Sequence, residues 1–267
     1  RMGFKIEEGK PLGQFFGLIY DGIYTTDDFV QNADGGYTLK NGIPYLKGSN
    51  RENVKPGDAK YRPTAGEVDA DGNPVWGTND RTVIGNAAPD FIGGWNNTFT
   101  YKGFDLTIFM NFVVGNDVFS MSTQRFIGPY LANQNTLEKM KNRFTLIDPS
   151  TGKESTDLAR LATLNPHQYS GDALWNISGN NKTAISERSS YYLEDGSYLR
   201  LKSAEIGYTF KGRLIDKMFM DNIRLFCNGQ NLLTLDYIKI VDPESNNGVG
   251  NYPMQRTINF GFQINFK

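Results

Sequence analysis

The 267 residues carry 28 Lys and Arg against 29 Asp and Glu, so the net charge of -1 gives no electrostatic basis for binding nucleic acid. A mean hydropathy of -0.48, with no run near the ~20 apolar residues of a membrane helix, excludes a helical membrane protein. Strands that cross a membrane are not excluded, because they alternate apolar and polar residues and average to the hydropathy of a soluble chain.

Eighteen Phe, fourteen Tyr and 29 Gly favour pleated strands joined by turns over long helices. The single cysteine, Cys227, rules out an internal disulfide framework and any multi-cysteine zinc site. Arg1-Met2-Gly3-Phe4 opens no charged and then apolar leader, so the chain reads as a mature segment beginning inside a longer protein.

In chain order, residues 11–24 (PLGQFFGLIYDGIY) mix aromatics with glycines and predict an extended segment. Residues 25–90 turn polar, with Asp34-Gly35-Gly36 and Asn41-Gly42 as turn signals, and predict one long loop. From 91 the period becomes two. Trp95, Asn97, Phe99 and Tyr101 share one face, with Gly94, Asn96, Thr98 and Thr100 on the other. After Lys102-Gly103, Phe104, Leu106, Ile108, Met110 and Phe112 share a face opposite Asp105, Thr107 and Asn111, which predicts a β-hairpin.

Residues 117–190 predict a second long loop with a short helix over 135–144. Over 197–211, Leu199 and Leu201 share a face with Ala204, Ile206, Tyr208 and Phe210 only after a one-residue slip, which predicts a bulge near Lys202-Ser203. A strand follows over 222–234. The last one is the clearest: Ile258, Phe260, Phe262, Ile264 and Phe266 line one side, Thr257, Asn259, Gly261, Gln263 and Asn265 the other.

Alternation of this kind fits a membrane barrel, whose apolar face meets lipid, and also a soluble β-sandwich, whose apolar face meets a second sheet. The opposite face, rich in Asn, Thr, Gly, Gln and Arg on long strands, favours an all-β antiparallel transmembrane barrel with a wet interior. The alternative is a soluble β-sandwich carbohydrate-binding module.

Eight segments in order resemble the SusC/RagA family of TonB-linked outer-membrane transporters. They are PLGQFFGLIYDGIY at 11–24, GDAKYR at 57–62, NDRTVIGNAAPDF at 79–91, NNTFTYKGFDLTIFM at 96–110, GND at 115–117, SSYYLEDGSYLRLKSAEIGYTF at 189–210, IRLFCNGQNLLTL at 223–235 and YPMQRTINFGFQINF at 252–266. The resemblance implies the C-terminal strands of a barrel of about 22 strands, with a plug and earlier strands preceding Arg1. It also implies TonB as energy source, a SusD-like surface lipoprotein as lid, and oligosaccharide or peptide as cargo in the bacterial outer membrane. No enzyme activity is expected. Phe104, Leu106, Ile108, Met110, Phe112, Ile258, Phe260, Phe262, Ile264 and Phe266 would then face outer-membrane lipid. One departure is Lys267, which follows the aromatic that usually ends such barrels.

Two constellations could bind a ligand. On the calcium-loop template, Asp69, Asp71 and Asn73 take the first, third and fifth positions, the Val75 carbonyl the seventh and Asp80 the twelfth. Glycine stands at the fourth position and not the sixth, so a solvated Asp/Asn/Gly turn is the competing reading. The loop aromatics Trp76, Tyr130, Tyr169 and Trp175 could stack on sugar rings or peptide side chains, or pack the loops together. Arg125, Arg143 and Arg160 could touch a lid. His167 has no nucleophile signature beside it and reads as an exposed loop residue.

Overall fold

The computed structural model describes residues 4–127, 135–177, 185–238, 240, 242–244 and 254–267. The chain forms two units: Arg1–Asn86 with Phe119–Leu193, and Ala87–Val118 with Glu194–Lys267.

The first unit begins with nine short strands: β1 (Phe4–Lys5), β2 (Gln14–Gly17), β3 (Tyr20–Ile23), β4 (Phe29–Gln31), β5 (Tyr37–Leu39), β6 (Tyr45–Leu46), β7 (Ala59–Tyr61), β8 (Val75–Trp76) and β9 (Thr82–Asn86). The second unit supplies β10 (Phe91–Tyr101), β11 (Phe104–Val114) and, at its border, β12 (Asp117–Phe119). Returning to the first unit, the chain forms helix α1 (Met121–Ile127), β13 (Ile147–Asp148), β14 (Lys153–Glu154) and helix α2 (Leu158–Leu164). It then makes β15 (Leu193–Asp195), β16 (Tyr198–Phe210), helix α3 (Arg213–Lys217), β17 (Met220–Asp236) and β18 (Thr257–Phe266).

In the first unit the strands pair as small sheets: β1-β2-β9, β3-β7, β4-β5 and β13-β14 antiparallel, β6-β8 parallel. Two buried clusters hold it. One gathers Leu18, Tyr61, Trp76, Phe144, Leu161, Leu174, Trp175 and Tyr192; the other gathers Tyr24, Phe29, Leu39, Tyr45 and Val75. Residues read from the sequence as loops therefore fold around their own core. Their strands are too short to show a period, and partners such as Leu18 and Ser189 are far apart in sequence.

Close packing sets one glycine. Gly57 has φ +81°, and a Cβ there would lie 2.5 Å from the Phe144 ring. The predicted helix over 135–144 is a shorter 3-10 turn at Glu138–Asn142. Its continuation is blocked because Leu174 donates to the Asn142 carbonyl (3.0 Å) and Phe144 to the Leu174 carbonyl (2.8 Å), drawing the chain into an extended bridge.

Asp58 is buried in this unit, accepting the Lys55 N–H (2.9 Å) and the Asn176 amide (2.8 Å). Burial pushes its carboxyl up to about 6, against the opposing pull of those donors. The folded state thus keeps a proton that the unfolded chain has lost between about pH 4 and pH 6, so this group's contribution to stability falls as pH rises through that window. Melting of wild type and Asp58→Asn in detergent from pH 4 to pH 7 checks this. The variant should gain on wild type by roughly 2–3 kcal/mol across the window; a constant difference would show that Asp58 titrates normally.

The second unit is a five-stranded antiparallel sheet in the order β10-β11-β16-β17-β18. Lys102 and Gly103 both have positive φ (46° and 90°), as the tight mirror-image turn of a two-residue hairpin requires. The expected bulge is present, with the β16–β17 register shifting between Leu201 and Ser203. β17 runs longer than the sequence pattern suggested, from Met220 to Asp236.

Candidate functional site

Residues directly opposite in neighbouring strands point to the same side of a sheet, so the register defines each face. One row runs Tyr101, Phe104, Tyr208, Leu225, Phe262; the next runs Phe99, Leu106, Ile206, Cys227, Phe260. This apolar side is open, with Phe260 82% and Phe262 71% exposed. Ile258, Phe266 and Phe104 are also exposed, while Leu106, Ile108, Met110, Phe112 and Ile264 are half-buried between their strand neighbours. A sandwich would bury Phe260 and Phe262 between two layers, and they are not so buried.

The opposite side is polar and ordered by charge. Arg224 on β17 donates through Nε to Asp105 on β11 (3.0 Å) and through Nη2 to Glu205 on β16 (2.7 Å). Its guanidinium lies 5.1 Å from the Phe226 ring centre. Farther along, Arg200 is 1% exposed and donates to Thr234 Oγ1 (3.0 Å), Asp242 (2.7 Å) and Glu244 (3.0 Å). Glu244 also accepts from Asn111 (2.7 Å), Tyr198 (3.2 Å) and Lys202 (2.5 Å). Amide pairs Asn259–Asn228 (3.0 Å) and Asn265–Asn222 (2.9 Å) continue the polar side to β18. Sequence reading did not single out these ion clusters. Opposite charges on the polar side of neighbouring strands were the available signal, but using it requires the register, and Arg200 needs residues 242–244 folded over it.

The calcium-loop residues do other work. Asp69 Oδ1 accepts the N–H groups of Asp71 (2.9 Å) and Asn73 (2.8 Å), and Oδ2 accepts the Tyr45 hydroxyl (2.9 Å). Asp80 is fully buried and accepts from the N–H groups of Ala65 and Gly77 (2.7 Å each). Gly72, with φ +81°, closes the turn, its N–H reaching the Asp69 carbonyl. Val75 is paired in β8 and buried. Among the described residues no three carboxylate, His or Cys side chains gather to hold a metal ion. In this structure N–H and O–H donors engage the carboxylates of Asp69 and Asp80, as in the competing solvated-turn reading.

Of the loop aromatics, Trp76 (2% exposed) and Trp175 (1%) lie inside the first unit's core and present no ring face to a ligand. Tyr169 is 62% exposed, its hydroxyl donating to Asp27 (2.8 Å). Tyr130 lies outside the described residues. Arg160 is committed to Asp148 through two bonds (2.7 and 2.9 Å), which hold that carboxyl well below the usual carboxylate range. Arg125 and Arg143 are exposed. His167 is half-buried, not exposed as expected.

An open antiparallel sheet with one greasy and one charged side suits a membrane β-barrel wall. Comparison with known proteins specifies the kind. No family model matches the chain. TonB-dependent receptor P3 of Formosa agariphila is 27% identical over 277 residues, covering 98% of this chain and 23% of the receptor. TonB-dependent receptor P26 of the same organism is 28% identical over 226 residues, covering 79% of this chain and 20% of the receptor. Among solved structures, the RagAB peptide importer in its closed-closed state superposes with a TM-score of 0.61 at 20% identity, covering 98% of this chain and 24% of the matched chain. The RagAB peptide transporter gives 0.62 at 18% identity. The chain is similar to TonB-dependent receptors, in line with its SusC/RagA-like segments, and it spans about a quarter of their length. These relatives are named as receptors and importers, not enzymes.

Proposed function

We propose that the chain is the C-terminal part of the wall of a TonB-dependent outer-membrane barrel importing oligosaccharides or peptides, with a SusD-like lipoprotein as its lid. The open apolar side carries this reading. Strands of 10 to 17 residues in β10, β11, β16, β17 and β18 meet or exceed the ~9–11 that span a bilayer. Lipid covers the rows through Phe260 and Phe262, and the side bearing Arg224 and Arg200 faces the wet interior. The unit built on Trp175 and Tyr24 is the folded form of the long outer loops, and cargo passes without covalent chemistry. Tyr169, exposed among the described residues, would meet that cargo.

Adjacent residues on β18 test the assignment of faces. In the whole protein refolded into lipid vesicles, Phe262→Arg should cost about 2–4 kcal/mol, and Gln263→Arg close to nothing. Equal tolerance at the two positions would refute a lipid-facing Phe262.

A further inference from the structure

The even overall charge conceals a local asymmetry in the sheet. At the end holding the Lys102-Gly103 turn, Phe104 pairs with Tyr208 and Thr209 donates to the Gly103 carbonyl (2.8 Å), so the β16–β17 turn lies beside it. Lys102, Lys211, Arg213 and Lys217 at that end are exposed and exceed the acidic Asp216 and Asp221 in number. The chain flanking the opposite ends of these strands carries Asp90, Asp117, Glu194, Asp195 and Asp236, against the basic Arg256 before β18.

The β16–β17 turn is also greasy. Around the one-turn α3, Leu214 is 78% exposed, Met218 56% and Phe219 81%. Phe219 has φ +60°, a conformation glycine adopts freely and bulky residues avoid. The sequence places a large exposed ring where both backbone and water oppose it, and such an outlier points to function.

We propose that residues 211–219 form an interfacial foot, with Leu214, Met218 and Phe219 sunk into the headgroup layer of an anionic phospholipid leaflet and Lys211, Arg213, Lys217 and Lys102 bound to its phosphates. The inference rests on the membrane reading above. Charge complementarity selects the occupant: apolar side chains interleaved with Lys and Arg are what binds an anionic interface, and nearby Tyr101, Tyr208 and Phe210 supply aromatic rings at the same level.

The experiment uses the whole protein in nanodiscs of phosphatidylethanolamine with and without phosphatidylglycerol, on a Cys227→Ser background. Spin labels go singly at 214, 218, 262 and 263. Oxygen should broaden the labels at 214 and 218 more than a water-soluble nickel chelate does, with the label at 262 deeper still and that at 263 open to the chelate. Chelate access at 214 and 218 with 262 protected overturns the foot and leaves the barrel standing. Chelate access at 262 equal to 263 instead removes the membrane reading itself. Lys211→Gln/Arg213→Gln/Lys217→Gln, all at exposed positions, should remove most of the enrichment of phosphatidylglycerol around the protein. Unchanged enrichment overturns the role of the basic residues. Phe219→Gly relieves the backbone, so it should fold at least as well while the label at 218 moves toward water; an unmoved label shows that Phe219 anchors nothing.

Discussion

Arg200→Ala is expected to destabilise the sheet by about 3–5 kcal/mol, the largest effect of any single replacement on its polar side. The guanidinium is 1% exposed, and its partners Asp242 and Glu244 have side chains only 11% and 14% exposed. Removing the cation strands two carboxylates in a site that water barely reaches, which costs more than the lost pair itself is worth. Lys202 offsets part of this at Glu244, at 2.5 Å. Arg200→Lys should fall between, since an ammonium keeps the charge but cannot reach Thr234, Asp242 and Glu244 together. Arg200→Met combined with Asp242→Asn and Glu244→Gln should recover most of the loss. Urea unfolding of the whole protein in vesicles measures all of these. Wild-type resistance in Arg200→Ala would mean that residues 242–244 do not rest on the sheet.

Trp175→Ala should cost a similar 3–5 kcal/mol, in the other unit and for a different reason. The indole is buried against Tyr191 (4.7 Å between ring centres), Tyr20 (5.9 Å) and Tyr192 (6.1 Å), each in a tilted or edge-on arrangement. Truncation leaves a cavity among aromatic rings that also pack on one another and cannot close it. Trp175→Phe keeps most ring contacts and should lose less than half as much. Limited proteolysis within residues 135–177 reports the loss directly. A substrate-stacking tryptophan would behave differently: Trp175→Phe would weaken cargo binding with protease resistance intact.

The strands of the long sheet were readable because each gathers polar residues on one side and apolar residues on the other, which writes a period of two into Phe260, Phe262 and Ile264 or Leu106, Ile108 and Met110. Even the bulge at Lys202-Ser203 left its trace as a slip in that period. The first unit left none. Its strands are two to five residues long, several pair across great sequence distance, and its core residues such as Leu18, Tyr61 and Trp175 come from scattered places. A polar stretch from 25 to 90 therefore read as loop although Tyr24, Phe29, Leu39, Tyr45 and Val75 were a core waiting for partners. The hydrogen bonding of the Asp69–Asp80 loop was equally invisible in a linear pattern. Asp69 and Asp80 have the residue types of ligands, but backbone N–H groups reach their oxygens first.

The chain visits its two units alternately, and this governs the order in which it can assemble. Phe104 pairs with Tyr208, so zipping β11 to β16 closes a loop of on the order of a hundred residues, a closure that costs less once the intervening chain is compact. Most of that intervening chain is Phe119–Leu193, which collapses with the opening stretch of the polypeptide around Phe144 and Trp175. β12 and β15, which flank that stretch in the chain, pair with each other. Trp175→Ala should therefore also delay refolding of the stretch that joins β11 to β16, with the pairing of Phe104 and Tyr208 as its late reporter.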